Sequence, residues 1–171
     1  MTTRPISVVA DTANRIRAGQ ITQLRRPGPL LAEIRAGDRL WLREQFHLSD
    51  RFDRFAPSAA LRMGATVNAY STGVRLPPDP DRGRRRFARE MPRGFSRMHL
   101  VVLDARRERL QDITDADLAR EGAPDREAFA AAWDAVLAGG RTISGSASRW
   151  ADNPRVTVIT FTAIMEPLQC R

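Results

Sequence analysis

Two runs constrain the fold more than any other feature of this chain. Residues 97–105 (RMHLVVLDA) predict a central strand, and residues 155–164 (RVTVITFTAI) alternate apolar with polar positions as a second one. The clearest signals between them are helical. Thr114 is placed as an N-cap with Asp117 at the capping-box position, opening a short helix. A second helix should begin near Asp125, with Phe129, Ala132, Trp133, Val136 and Leu137 on one face, and Gly139-Gly140 closing it. Helices that cluster between strands, rather than alternating singly with them, predict an α+β fold around a small barrel or curved sheet.

The rest of the chain is patterned less strongly. Residues 6–18 have helical spacing, with Val9, Ala13 and Ile16 on one side and Gly19 as the stop. A short run from Gln20 to Arg26 ends at Pro27-Gly28-Pro29. After the Gly37-Asp38 turn, residues 39–46 predict a half-buried strand in which Leu40 and Leu42 alternate with Trp41 and Arg43. Residues 64–74 offer one or two short strands. The stretch at about 76–96 is expected to be an Arg-rich loop, and about 139–149 a Ser/Gly linker. At 171 residues the chain is long enough for one domain with a real core.

All 28 basic residues are arginine, and there is no lysine. Arginine stays protonated and recognises phosphates through a planar fork, but it cannot act as a tunable amine. Mechanisms that need a lysine base or a Schiff base are therefore excluded. Two histidines, His47 and His99, and one cysteine, Cys170, make no convincing metal site, and no Gly-rich phosphate loop is present. No cofactor or metal is expected. No apolar run is long enough for a membrane span and no signal-peptide pattern opens the chain, so a cytoplasmic protein is expected.

Charge is unevenly spread. Residues 1–103 hold 19 Arg against 9 acids, a net of +10, whereas residues 104–134 hold 5 Arg against 9 acids, a net of −4. Such asymmetry suggests one face built for a polyanion. Residues 82–97 are the densest part, with seven arginines (Arg82, Arg84, Arg85, Arg86, Arg89, Arg93, Arg97) against Glu90. Phosphate contact is expected of the arginines there, and packing of Phe87 and Phe95.

Four pieces occur in order: Ile16-x-Ala-Gly-x-x-Thr-x-x-Arg-Arg26, Ala36-Gly-Asp-Arg-Leu-Trp-Leu-Arg-Glu44, Met91-Pro-x-x-x-Ser-Arg97, and Arg109-Leu-Gln-Asp-Ile-Thr-x-x-Asp-x-x-x-Glu-Gly122. A helix bearing Trp133 and then Trp150-Ala-Asp-Asn-Pro-x-Val156 follow. Together they resemble the ASCH-domain proteins of the PUA-like superfamily, in the form common in phages and prophages, over roughly residues 8–162. Loop 47–90 has no counterpart motif. The resemblance implies a small β-barrel with flanking helices, a cleft between them, and binding of RNA or nucleotides. One branch looks like an amidohydrolase of acetylated cytidine, and ribonuclease activity has been proposed for others. That hydrolase branch has lysine where Ile21 stands and threonine where Leu24 stands; only its glutamate is matched, by Glu121.

The expected function is thus a non-catalytic RNA- or nucleotide-binding module with a cationic cleft. Thr22, Gln23, Arg25, Arg26, Arg43, Glu44, Arg84, Arg85, Arg86, Arg93, Arg97 and Glu121 are its candidate binding residues. Arg25 and Arg26 point to opposite faces of an extended run, so at most one enters a cleft. Glu121 near Arg25 or Arg43 is either a satisfied buried pair or an acceptor for a base edge. Trp41, Trp133 and Trp150 are assigned to packing. The alternative is a hydrolase of a modified nucleoside, or a ribonuclease, with Glu121 as acid/base.

Overall fold

The computed structural model describes residues 1–138 and 149–166. The predicted stop at Gly139-Gly140, most of the Ser/Gly linker, and Cys170 lie outside these residues. The chain is mixed α and β, with eight strands in two sheets and four α-helices among the described residues. Its contacts divide it into two compact units. The first comprises residues 1–19, 38–101 and the chain from Ala163; the second comprises residues 20–37 and 102–162.

In the first unit, strand β1 (Thr3–Ser7) pairs parallel with β3 (Arg39–Arg43), placing Ile6 opposite Leu42. Helix α1 (Ala10–Arg17) follows β1 and buries Ala13 and Ile16, and Gly19 lies beyond its C-cap at φ +71°. The predicted helix over 6–18 is thus a strand and then a shorter helix. Val9 takes the extended N-cap position and is half exposed, not on the apolar face. β3 pairs antiparallel with the first residues of β7 (His99–Arg109), and Leu40, Trp41 and Leu42 are all buried. That strand is covered on both faces, where one covered face was expected.

The predicted strand 39–46 ends at Arg43, and Phe46–Ser49 forms a separate strand, β4. β4 lies between β5 (Ala69–Tyr70) and β6 (Arg82–Arg86) in a three-stranded antiparallel sheet. Helix α2 (Pro57–Arg62) connects β4 to β5, with proline at its start, where the missing N–H costs nothing. Trp41, Phe46, Leu48, Phe52, Met91 and Phe95 form the core beneath this sheet. The stretch expected to be an Arg-rich loop therefore contains strand β6.

In the second unit, β2 (Gln23–Pro27) pairs antiparallel with β8 (Arg155–Ile164), which occupies the predicted residues. Helix α3 (Asp115–Arg120) opens with the predicted capping box: the Asp117 N–H donates to Thr114 Oγ1 at 3.2 Å and the Thr114 N–H to Asp117 Oδ2 at 3.4 Å. Helix α4 (Arg126–Ala138) is preceded by Asp125, whose Oδ1 accepts from the Ala128 N–H at 2.7 Å. Phe129, Trp133 and Trp150 pack on Leu110, Val156 and Val158, whereas Val136 is 60 % exposed. β1 and β2 each pair along one edge only, so no closed barrel forms among the described residues.

Candidate functional site

The second unit holds a buried ion network built from four elements. Strand alternation turns Arg25 inward, where its side chain is fully buried, while Arg26 is half-buried and its Nη1 donates to the Arg25 carbonyl at 2.9 Å. Arg25 reaches three carboxylates. Its Nη1 donates to Glu121, just past the end of α3; its Nη2 donates to Glu108 on β7 at 2.5 Å and to Asp117 on α3 at 3.0 Å. Arg106, two residues before Glu108 and on the same side of β7, donates to Glu108 at 2.8 Å and to Asp117 at 3.0 Å. Gln23 completes the set, donating from Nε2 to Asp117 at 3.0 Å and to Glu121 at 3.1 Å while its Oε1 accepts from Thr160 at 3.2 Å.

The electrostatics follow from this wiring. Burial pushes the Asp117 carboxyl up, but hydrogen bonds from Gln23, Arg106, Arg25 and the Thr114 N–H outweigh it and hold Asp117 well below the usual carboxylate range. Glu121 goes the other way. Burial raises it, and the attraction of Arg25 with the bond from Gln23 only partly offsets the rise. Of the predicted residues, the network brings together Gln23, Arg25 and Glu121. Thr22 is exposed, and its backbone N–H donates to the Arg120 carbonyl at 2.9 Å. Ile21 and Leu24, where the hydrolase branch carries lysine and threonine, are buried in the core. Arg106, Glu108 and Asp117 were missed as members. Their signal was available: the i, i+2 spacing of Arg106 and Glu108 puts opposite charges on one strand face.

The other predicted residues lie in the first unit. Glu44 is 1 % exposed and forms a fork with Arg97, whose Nε and Nη2 donate at 3.0 and 2.6 Å. Arg97 also sits 4.2 Å from the centre of the Tyr70 ring. Burial pushes the Tyr70 hydroxyl up to about 12, with Arg97 drawing it down and Glu44 adding to the rise. Arg43 lies 4.6 Å from the Trp41 ring centre and is lowered by burial.

Within the Arg-rich stretch the arginines differ. Arg86 is fully buried and donates to the carbonyls of Phe52 (2.7 Å) and Phe55 (3.0 Å). Burial lowers it, with repulsion from Arg84 adding to the fall. Arg93 is half-buried. Arg84 and Arg85 are exposed on β6, and the Arg84 N–H is held by the Asp53 carboxylate at 3.0 Å. Arg89 is exposed and stands 4.9 Å from the centre of the Phe87 ring. Phe95 is in the core, as expected, but Phe87 is 47 % exposed.

β4, β6 and the segment following β5 also border a cleft of about 350 Å³. Its polar lining is Gln45, His47, Ser71, Arg82 and Arg85, with Val74 and Leu76 on the apolar side and no acidic residue. Among the described residues no group of three or more His, Cys, Asp or Glu side chains is arranged to hold a metal, and no helix is long and apolar enough to cross a membrane. Comparison with known proteins found no matching family model, no similar curated protein and no similar solved structure.

Proposed function

We propose that this chain is an RNA- or nucleotide-binding module of the PUA-like type, with phosphate contacts supplied by the stretch 82–97. The observation that carries this reading is the display of Arg84, Arg85 and Arg89. Two consecutive arginines are exposed on opposite faces of β6, and a third stands over an exposed aromatic ring, within a stretch of net charge +6. Cations paired with an accessible ring suit single strands, where phosphates and base faces are reached together. The resemblance to ASCH-domain proteins points to the same ligand class. Burial of Ile21 and Leu24 in the core supports the non-catalytic form, because neither position offers a nucleophile or its activating amine.

The test is fluorescence anisotropy with short single-stranded RNA, duplex RNA and DNA across a salt series. Arg84→Ala, Arg85→Ala and Arg89→Ala combined remove three phosphate contacts. On single strands that should flatten the slope of log affinity against log salt by about 2. Unchanged affinity and slope would refute the placement. Arg86 is left out of this variant because it is buried in the fold.

The hydrolase alternative is favoured by one observation, the raised carboxyl of Glu121. Against it, that carboxylate is 7 % exposed and already bonded to Arg25 and Gln23. Release of free base or nucleoside fragments by the wild type, abolished in Glu121→Gln, would establish it over the binding module.

A further inference from the structure

The cleft bordered by β4, β6 and the segment following β5 lies largely in the stretch for which the sequence resemblance supplies no motif, and its chemistry is specific. We propose that it is a phosphate-monoester subsite for a nucleotide, with Arg82 and Arg85 holding the phosphate, His47 accepting from a ligand hydroxyl and Val74 with Leu76 facing the base or sugar. The inference rests on the nucleotide-binding reading above and deepens it by naming the site.

Four features support the assignment. First, one cation is uncommitted. The Arg85 guanidinium is exposed and makes no hydrogen bond or ion pair among the described residues, whereas Arg82 donates to the Pro77 carbonyl and stands 3.7 Å from the Asp79 carboxylate. Second, the donors converge. His47 and Arg85 are direct cross-strand partners, so their side chains leave the sheet on the same face. His47 Nδ1 lies 2.9 Å from the Gly83 carbonyl, which can only accept, so the Nδ1 proton is directed there and Nε2 is left for a ligand hydroxyl. Third, among the described residues the cleft lining holds no carboxylate to repel an anion; Asp79, the ion-pair partner of Arg82, lies outside that lining.

Fourth, the wall opposite the cations is held in place before any ligand arrives. Asn14 Nδ2 on α1 donates to the Thr72 carbonyl at 3.2 Å, the Ser71 N–H donates to the Gln45 carbonyl at 2.9 Å, and Arg82 Nη1 donates to the Pro77 carbonyl at 2.7 Å. Preorganisation of this kind limits the ordering cost of binding. Val74, 75 % exposed, is the apolar lip of this wall, and Gln45 and Ser71 supply neutral hydrogen-bonding groups for a base edge or ribose. The volume falls at the small end of the range for small-molecule sites, roughly 300–1,000 Å³, which suits a mononucleotide or one end residue of an RNA rather than a longer segment. Two guanidinium charges suit a dianionic monoester better than a singly charged diester.

The experiment is calorimetric titration of the full chain with AMP, adenosine and inorganic phosphate, beside anisotropy of an RNA 10-mer carrying either a 5′-phosphate or a 5′-hydroxyl. The wild type should bind AMP at least about tenfold more tightly than adenosine. Arg85→Ala and Arg82→Gln should each weaken AMP about tenfold or more. Arg107→Ala, exposed and in the other unit, should leave it unchanged. Circular dichroism confirms that the variants fold, and Arg85→Ala removes no side-chain hydrogen bond or ion pair among the described residues, so it serves should Arg82→Gln misfold. AMP binding identifies a free nucleotide as the source of the phosphate; a preference for the 5′-phosphorylated RNA without AMP binding identifies an RNA end. Equal binding of AMP and Arg85→Ala-insensitive binding both overturn the subsite, the former when adenosine matches AMP. If neither AMP nor the RNA phosphate matters while the 5′-hydroxyl RNA still binds with a steep salt slope, the subsite is wrong and the RNA-binding reading stands. If no RNA and no nucleotide binds, both are wrong.

Discussion

Replacing Arg25 with methionine tests whether the buried network is held by a single cation. The variant keeps the length and apolar bulk of the side chain but removes donors to three carboxylates. The three do not lose equally. Glu108 and Asp117 keep Arg106, at 2.8 and 3.0 Å, whereas among the described residues Glu121 keeps only Gln23 as a side-chain hydrogen-bond donor. Glu121 is 7 % exposed, so the cost is that of stranding one buried carboxylate, about 3–5 kcal/mol. For a chain of this length, that corresponds to a melting midpoint lower by roughly 6–20 °C. Adding Glu121→Gln removes the stranded charge while keeping its shape, so the double variant should recover a large part of the loss. The sign with pH follows from the same group: Glu121 without Arg25 is raised further, so the deficit should shrink as pH falls from 7 towards 5 and the carboxyl takes up its proton. Urea unfolding of the wild type and both variants at the two pH values measures all three effects. A loss below about 1 kcal/mol, or a double variant no more stable than Arg25→Met, would refute the reasoning.

Two further outcomes follow from the ionisable groups. Asp117 is depressed in the folded state, so its contribution is present above the unfolded value of about 3.9 and is lost as pH falls below it. Acid unfolding should therefore steepen below about pH 4 in the wild type, and Asp117→Asn should flatten that limb; an unchanged limb would remove Asp117 as its cause. Tyr70 is the only tyrosine, so the ultraviolet phenolate titration reports it alone. It should ionise near 12, and Arg97→Met, which removes a cation that favours phenolate, should delay it further; a midpoint near the ordinary 10 would contradict its burial and the bond from its hydroxyl to the Phe95 carbonyl at 2.7 Å.

The elements legible in the sequence are those whose signal is local. β8 carries its own period-2 alternation, and α3 carries Thr114 and Asp117 three residues apart, so neither needs knowledge of a distant partner. β1 was hidden because its pairing is parallel and with β3, far along the chain; read alone, its apolar residues merge into the helical spacing that follows. β6 was hidden for another reason. Its sequence, RGRRR, contains no apolar residue and so has no hydrophobic period to read. The backbone carbonyls of Phe52 and Phe55 make burial of Arg86 possible, and only the folded chain brings them there.

The candidate site divides in the same way. Alternation on an extended run required that Arg25 and Arg26 part company, and charge composition alone concentrated arginine in 82–97. Which arginine goes inside, and which is consumed by the fold, depends on partners distant in the chain. Arg25 is turned inward to Glu108, Asp117 and Glu121, 83 to 96 residues away, and Arg97 is forked onto Glu44, 53 residues away. Among the described residues Arg85 is left without an ion pair, beside His47 in a cleft with no acid in its lining. The sequence by itself determined the α+β class, the capped helices and the supply of guanidinium groups, because propensity, capping and net charge are properties of neighbours along the chain. Only the tertiary structure decided which of those guanidiniums are neutralised and which remain for a ligand, because pairing is a property of neighbours in space.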